Sequence, residues 1–163
     1  MNAVVLTVSD GVFHGERQDE SGDVLTAEAE GAGFTVVARA VVADEVDAIA
    51  AQVLEWCDDA PLLDVALVLV TGGTGFAPRD VTPEALSAVY DRRAPGLDEA
   101  MRAASMQVKP HGMLTRGVSG TRGSALVISF PGSPRACREN FAVVQPVLEH
   151  ALRLLREDPT RHL

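Results

Sequence analysis

The chain has 163 residues and a formal net charge of −9 at pH 7, which predicts one domain over residues 1–163 and argues against a nucleic acid as partner. No apolar run reaches the length of a membrane span, and no basic region precedes an apolar stretch at the N-terminus, so we expect a cytoplasmic protein without membrane contact. Cys57 and Cys137 give no disulfide framework, and the four histidines lack the spacing of zinc ligands.

Apolar, β-branched runs alternate with capped helical segments along the chain. The predicted strands cover residues 3–8, 34–42, 65–70 and 124–130, and the predicted helices cover residues 23–30, 44–57, 83–91, 97–107, 134–145 and 147–156. The expected N-caps are Asp19 or Ser21, Asp44, Thr82 and Ser133. A polar loop is predicted over residues 12–22, and residues 108–123 are predicted to be irregular.

This alternation predicts parallel β-α-β units with helices on both faces of the sheet. The expected fold class is α/β, a three-layer α/β/α arrangement with a mainly parallel sheet. The predicted strands end at Ser9, Ala43, Thr71 and Phe130, and these ends would point the same way. The polar residues and glycines near these ends are Ser9, Asp10, Asp44, the loop 72–75, Asp80 and Ser133. Spacing alone does not prove that they meet.

The sequence Thr71-Gly72-Gly73-Thr74-Gly75 directly follows an unbroken apolar run that is typical of a strand buried on both faces. Glycine lets the backbone adopt positive φ and lets a ligand approach the main chain, so the N–H groups of this loop can form an anion nest. The loop is neither a P-loop nor a dinucleotide fingerprint, because Gly-Lys-Ser/Thr and the third spaced glycine are missing. Arg79 and Asp80 close it, one as a cation for phosphate and one as a carboxylate for a metal or a polar ligand. The alternative is a tight turn that only reverses the chain.

Basic residues are concentrated in the middle of the chain. Residues 1–78 hold two arginines and fourteen acids, a net charge of −12, whereas residues 79–138 hold nine basic residues and five acids, a net charge of +4. A cationic cleft on an acidic protein can attract an anionic small molecule. The alternative is that arginines such as Arg92, Arg93 and Arg102 only solvate helix faces.

The candidate residues contain no plausible pair of nucleophile and base. Phosphoryl or nucleotidyl transfer fits them best, because that chemistry needs positioning and charge neutralisation more than covalent catalysis. The carboxylates would hold Mg²⁺, which binds hard oxygen ligands alongside phosphates. Two alternatives stay open: Asp44 caps a helix and does nothing else, and Asp80 makes a hydrogen bond within its own loop.

Several motifs together resemble those of one known family. They are Thr7-Val-Ser-Asp10, Asp19-Glu-Ser-Gly22, Asp44-Glu45, Thr71-Gly-Gly-Thr-Gly75, Arg79-Asp-Val-Thr-Pro-Glu84, Pro95-Gly-Leu-Asp-Glu-Ala-Met-Arg102, Arg116-Gly-Val-Ser-Gly120 and Pro131-Gly-Ser-Pro134. On these motifs the chain resembles the MogA/MoaB family of molybdenum cofactor biosynthesis proteins, the molybdopterin adenylyltransferases. The resemblance covers residues 3–155, and it departs from the family at Val12-Phe13-His14, where relatives often carry small polar residues.

The resemblance implies molybdopterin and ATP as substrates and Mg²⁺ as cofactor. The terminal phosphate of molybdopterin would attack the α-phosphorus of ATP, giving adenylylated molybdopterin and pyrophosphate. Asp44 and Asp80 match the family's functional acids, so both are expected to be catalytic and to hold the metal. The expected nucleotide-binding residues are Gly72, Gly73, Thr74 and Gly75, and the expected substrate-binding residues are Ser9, Asp10, Arg79, Gly132 and Ser133. A homo-oligomer, either a trimer or a hexamer, and hand-over to a molybdate-insertion protein are also implied.

Two other hypotheses compete with the adenylyltransferase. One is a non-catalytic protein of the MoaB type that binds or carries molybdopterin. The other, which the residues permit without the resemblance, is an unrelated phosphosugar-binding α/β domain. Asp44 and Asp80 beside an intact glycine loop favour the enzyme.

Overall fold

The computed structural model describes residues 1–156 as helices, strands and the loops between them. The strands are β1 (Asn2–Val8), β2 (Thr35–Val42), β3 (Val65–Thr71), β4 (Arg92–Arg93), β5 (Ser119–Arg122) and β6 (Ala125–Phe130). The α-helices are α1 (Asp10–Phe13), α2 (Glu20–Gly31), α3 (Val46–Leu54), α4 (Thr82–Val89), α5 (Pro95–Val108) and α6 (Pro134–Leu155). His162, one of the four histidines, lies outside the described residues.

All six strands form one sheet in the order β2-β1-β3-β6-β5-β4. Strands β2, β1, β3 and β6 pair in parallel, in that order. Strands β5 and β4 add an antiparallel edge. The predicted α/β class with a mainly parallel sheet is therefore confirmed. Because the four parallel strands point the same way, the segments that follow them emerge at one edge of the sheet.

The sheet separates two apolar layers, as the three-layer prediction requires. Helices α2, α5 and α6 pack on one face, where Leu25 and Phe141 are fully buried. Helices α3 and α4 pack on the other face, where Ile49 and Leu86 are fully buried. Strand β3 has buried side chains on both faces, which is why its sequence is an unbroken apolar run rather than an alternating one.

The sequence-based prediction missed the antiparallel edge. Strand β5 lies within residues 108–123, which were predicted to be irregular, and β4 follows helix α4. The residues of β5, Ser-Gly-Thr-Arg, carry no apolar pattern from which a strand can be recognised. They form a strand because β6 pairs with them along the sheet edge, which is a tertiary effect that overrides local propensity.

Two predicted N-caps are wrong. The N-cap of α4 is Val81, and the Thr82 hydroxyl instead donates a 2.8 Å hydrogen bond to the Gly72 carbonyl. The N-cap of α3 is Glu45, and the Asp44 carboxylate instead accepts from the N–H of Asp10, the first residue of α1. By contrast, Asp19 caps α2 through the Gly22 N–H, and Ser133 caps α6, as predicted.

Helix bounds also differ from the prediction in places. Helix α2 begins at Glu20, three residues before the predicted start at Asp23. Helix α6 continues through Pro146 without an interruption. Within the described part of the chain, no helix combines the length and apolar character that a membrane span requires. Both cysteines are free thiols, and burial raises the pKa of each to about 11, so neither has the character of a nucleophile.

Candidate active site

A cleft of about 580 Å³ lies where the four parallel strands end. Six of the predicted site residues line it: Ser9, Asp44, Gly72, Gly73, Asp80 and Gly132. They follow four different strands, so the sheet topology brings together residues that are far apart in the chain. The remaining predicted site residues, Asp10, Thr74, Gly75, Arg79 and Ser133, belong to the loops that build its walls.

Two of these loops are held together by a reciprocal pair of hydrogen bonds between Asp10 and Asp44. The Asp10 N–H donates to Asp44 Oδ2 at 2.7 Å, and the Asp44 N–H donates to Asp10 Oδ1 at 3.0 Å. The guanidinium of Arg79 donates to both oxygens of Asp10, each at 2.9 Å. The alternative in which Asp44 only caps a helix is therefore wrong.

The pKa values of Asp10 and Asp44 are shifted in opposite directions. Hydrogen bonds from Arg79 and from the Asp44 backbone hold the pKa of Asp10 down, at about 2. Burial raises the pKa of Asp44, and the negative charges of Asp10 and Asp80 add to this effect. An acid whose charged form is disfavoured in this way gains from a nearby cation.

The glycine loop has a conformation that other residues rarely adopt. Gly72 and Gly73 have φ of +97° and +64°. A Cβ on Gly72 would collide with the Val8 carbonyl, and one on Gly73 would collide with the Thr82 hydroxyl and lie 3.1 Å from Asp44 Oδ1. The glycines are therefore required by the packing of the loop itself, whether or not a ligand approaches it.

Arg116 is a residue of this site that belongs to one of the family motifs but had no role predicted from the sequence. Its guanidinium donates to the carbonyls of Gly75 and Asp80, both at 2.7 Å, and pairs with the Glu84 carboxylate. Its backbone N–H donates to the Thr74 carbonyl at 2.8 Å. These bonds use carbonyl oxygens of the loop.

The glycine loop also contacts the second glycine turn, after β6. The Thr71 hydroxyl and the Cys137 thiol both donate to the Pro131 carbonyl, at 2.9 and 3.0 Å. A Cβ on Gly132 would lie 3.4 Å from the Gly72 Cα. The two turns, predicted separately from sequence, therefore form one continuous wall.

Known proteins and families match most of this chain. A family described as a probable molybdopterin binding domain matches residues 4–150. The crystal structure of a molybdopterin biosynthesis enzyme, MoaB from Thermus thermophilus, has a TM-score of 0.88 at 42% identity, covering 97% of this chain and 98% of that one. A molybdopterin adenylyltransferase of Helicobacter pylori is 38% identical over 115 residues, which cover 71% of this chain and 64% of that protein.

This chain belongs to the MogA/MoaB family of molybdenum cofactor biosynthesis proteins. Gephyrin from Dictyostelium discoideum is 39% identical over 169 aligned residues, which cover 98% of this chain but only 23% of gephyrin. The chain thus spans about a quarter of the length of that relative.

The MogA/MoaB-type cleft offers few side-chain ligands to a metal such as Mg²⁺. In residues 1–156, no group of three or more His, Cys, Asp or Glu side chains is arranged to hold a metal. Asp44 and Asp80 nevertheless both line the cleft, and Mg²⁺ is usually held by one or two carboxylates together with substrate phosphates and water. The donor set therefore fits Mg²⁺ bound together with a phosphate ligand. One Asp80 oxygen accepts from the Ala77 N–H at 3.0 Å, as the alternative of a loop-internal bond requires.

Residues of the first loop also line the cleft of this MogA/MoaB-family chain, and no site role was predicted for them. They are Val12, Arg17, Gln18, Glu20 and Ser21. The signals that could have found them are the length and polarity of the loop and the Asp19-Glu-Ser-Gly22 motif, since long loops in compact domains are commonly functional.

Proposed function

We propose that this protein is a molybdopterin adenylyltransferase that uses MgATP. A phosphate oxygen of molybdopterin attacks the α-phosphorus of ATP, and the bond between that phosphorus and the oxygen bridging to the β-phosphate breaks. The products are adenylylated molybdopterin and pyrophosphate. The observation that carries this proposal is the cleft itself, in which Asp44 and Asp80 line the same space as the glycine loop.

The roles of the acids follow from charge. Asp44 and Asp80 would hold Mg²⁺, which when bound neutralises phosphate charge and orients the transferred group. Because burial and two neighbouring acids raise the pKa of Asp44, a cation at this position relieves a repulsion that the free protein contains. Their catalytic role is therefore to fix the metal and its phosphate ligand, not to move a proton.

The glycine loop would bind the nucleotide phosphates through its main-chain N–H groups. Gly72 and Gly73 both line the cleft and both have positive φ, a conformation typical of anion-binding nests. The Gly72 N–H already donates to the Phe130 carbonyl at 3.1 Å. Within residues 1–156, the N–H groups left for the ligand are therefore those of Gly73, Thr74 and Gly75. Arg116 holds carbonyls of the loop through hydrogen bonds. Preorganised donors of this kind stabilise developing charge without reorganisation during the reaction.

No general base is required for this chemistry. A phosphate monoester has a second pKa of about 6, so it is already a dianion at neutral pH. The cleft accordingly needs acids for a metal and donors for phosphates, and both are present. This agrees with a sequence that offers no pair of nucleophile and base.

A turnover assay tests the proposal directly. Purified protein is incubated with MgATP and molybdopterin, and the products are identified by mass spectrometry and by pyrophosphate release. We expect pyrophosphate only when molybdopterin is present. Pyrophosphate released without molybdopterin, or no release under any condition, would contradict the proposed reaction.

A non-catalytic molybdopterin-binding protein is the second candidate. The description of the matched family, which names binding and no reaction, favours it. The same assay separates the two functions, because a carrier would bind molybdopterin without releasing pyrophosphate from ATP.

The proposed enzyme would act in the cytoplasm as a homotrimer and hand its product to a molybdate-insertion protein. An apolar groove between α5 and α6 supports self-association; Leu97, Val143 and Val147 are among the residues that line it. Sedimentation equilibrium measures the oligomer directly, and a monomer at micromolar concentration would contradict the trimer.

A further inference from the structure

The cleft has two chemically different sides, which belong to the two helix layers. Asp44 and Asp80 precede α3 and α4, the helices on one face of the sheet. Arg17 lies in the loop before α2, Ser21 lies in the first turn of α2, and Gly132 precedes α6; both helices pack on the other face. All five residues line the same cleft. One side therefore offers two carboxylates to a metal, and the other offers the Arg17 cation and the Ser21 hydroxyl beside one carboxylate, Glu20.

Arg17 is the arginine that lines this cleft. Its side chain lies against Gly11, where a Cβ would be 3.3 Å from Nε and 3.4 Å from Cγ and Cδ. Among residues 1–156 no carboxylate lies within 4.0 Å of its guanidinium, although Glu16 and Glu20 are close in sequence. The side chain is exposed, and its guanidinium keeps its charge free for a ligand.

Arg79, which the sequence suggested as the cation for phosphate, is in a different situation. Its guanidinium is engaged by both oxygens of Asp10. Asp10 occupies Nε and one N–H of Nη2 and neutralises the charge of Arg79, so a phosphate at Arg79 could use only the remaining N–H groups and would face the Asp10 carboxylate. Arg17 is under no such constraint within the described residues.

Ser21 is the second group on this side of the cleft. Its residue is only 8% exposed, yet its hydroxyl makes no hydrogen bond within the described part of the chain. The fully buried side-chain atoms without a partner in the described chain belong to Thr121 and Arg156 and not to Ser21, so the Ser21 hydroxyl keeps access to the cleft and is free to bind a ligand there.

The surroundings hold Ser21 in place. The neighbouring Asp19 carboxylate accepts from the Thr7 hydroxyl at 2.8 Å, from the Gly22 N–H at 3.0 Å and from Arg39 at 2.9 Å. These bonds tie the first turn of α2 to β1 and β2.

We propose that Arg17 and Ser21 form a phosphate-binding subsite, separate from the glycine loop, that takes the terminal phosphate of molybdopterin. The inference rests on the proposed function for the identity of this ligand. Guanidinium and hydroxyl groups both donate hydrogen bonds to phosphate oxygens. Asp44 and Asp80 would hold the metal of the nucleotide, so Arg17 would neutralise the charge of a second phosphate bound beside it. The other source of the same chemistry is a phosphate of ATP, and the experiment separates the two.

The test measures dissociation constants for three probes: molybdopterin, MgATP and inorganic phosphate. Each is titrated by calorimetry into the wild-type protein and into Arg17→Gln, Arg17→Lys and Ser21→Ala. Arg153→Gln is the matched control, because Arg153 is an arginine close to the far end of the 22-residue helix α6. Circular dichroism and thermal melting verify that each variant is folded.

We expect Arg17→Gln to weaken molybdopterin binding about 10- to 100-fold, which is typical of a lost hydrogen bond to a charged group. The affinity of Arg17→Lys for molybdopterin should lie between those of the wild type and Arg17→Gln, since lysine keeps the charge but not the planar fork. Ser21→Ala should weaken binding about 3- to 10-fold, as for a neutral donor. MgATP binding should stay within about twofold in all variants, and Arg153→Gln should match the wild type. That pattern supports the subsite.

Other outcomes overturn it. If the wild type binds both substrates and Arg17→Gln changes neither affinity, the subsite is wrong and the proposed function stands. If only MgATP binding weakens, the phosphate belongs to the nucleotide and the assignment to molybdopterin is wrong. If the wild type binds neither substrate, the proposed function fails. Inorganic phosphate then decides: binding that depends on Arg17 supports an anion subsite, and phosphate binding that does not depend on Arg17, or none, overturns it.

Discussion

Substituting Gly73 by alanine tests whether the packing of the glycine loop positions the acid of the cleft. Gly73 has φ of +64°, and an added Cβ would meet the Thr82 hydroxyl and lie 3.1 Å from Asp44 Oδ1. The Thr82 hydroxyl is buried and bonded to the Gly72 carbonyl at 2.8 Å. The new methyl group therefore has to displace this hydroxyl, the Asp44 carboxylate, or both.

The expected loss in the free energy of unfolding of Gly73→Ala has two parts. Left-handed backbone costs an alanine about 1–2 kcal/mol relative to its ordinary conformation. Losing the buried hydrogen bond of Thr82 costs about 1–3 kcal/mol. The total of about 2–5 kcal/mol corresponds to a fall in Tm of about 4–20 °C, at about 2–4 °C per kcal/mol for a chain of this size. Affinity for MgATP should fall as well, because Asp44 moves.

Gly123→Ala is the matched control. Gly123 has φ of +54°, and its added Cβ would have no atom within 4 Å. It lies in the turn between β5 and β6, at the end of β6 far from the cleft. We expect only the backbone cost, about 1–2 kcal/mol, and wild-type affinity for MgATP. Thermal melting and calorimetry measure both quantities. If Gly73→Ala has the same Tm as Gly123→Ala and the same affinity for MgATP as the wild type, the reasoning about packing is refuted.

The acids and the arginine around this loop lead to three further expectations. Asp80→Asn should lower adenylylation about 100-fold or more, as for other lost electrostatic groups, with Tm nearly unchanged because an amide oxygen can still accept from the loop; wild-type turnover would remove Asp80 from the mechanism. The pKa of Asp44 is raised in the folded protein, so its ionised form costs stability above that pKa. Asp44→Asn should therefore melt higher than the wild type at pH 7, and the gain should vanish below about pH 3, where aspartate is protonated in both states; a lower Tm at pH 7 would contradict this. Arg116→Gln should weaken MgATP binding about tenfold, whereas Glu84→Gln, which removes only the ion pair, should change it less than twofold; equal losses would mean that the ion pair holds the loop.

The parallel core could be predicted because its signal is local. Strands β1, β3 and β6 are buried on both faces, and their sequences are continuous apolar runs. Strand β5 could not be predicted, because its residues carry no apolar pattern and form a strand by backbone pairing with β6. Gly120 illustrates this: a Cβ there would lie 2.5 Å from the ring of Tyr90, a residue 30 positions away that no local pattern connects to it.

The same limit applies to the cleft. The glycine loop and the acids were predictable as types of residue at strand ends. Their mutual contacts were not, because Arg79 and Asp10 are separated by 69 positions and Asp10 and Asp44 by 34. Whether an arginine is free or already paired depends on such contacts, so the sequence could suggest a cation for phosphate but could not decide which arginine it is.

The ion pair of Arg79 with Asp10 explains how one acidic chain could bind two anionic substrates. Arg79 and the Asp44 N–H engage both oxygens of Asp10, so this carboxylate is unavailable to a metal. Asp44 and Asp80 each accept a hydrogen bond only at Oδ2 within residues 1–156, which leaves one oxygen on each, the number of carboxylates with which Mg²⁺ is usually held. The pair thus removes one acid from metal binding and neutralises the charge of one arginine. Among the groups that line the cleft, Asp44 and Asp80 stay free on the side of α3 and α4, and Arg17 stays free beside Glu20 on the side of α2. In the proposed function the two acids would hold the metal of the nucleotide, and Arg17 would bind the second phosphate.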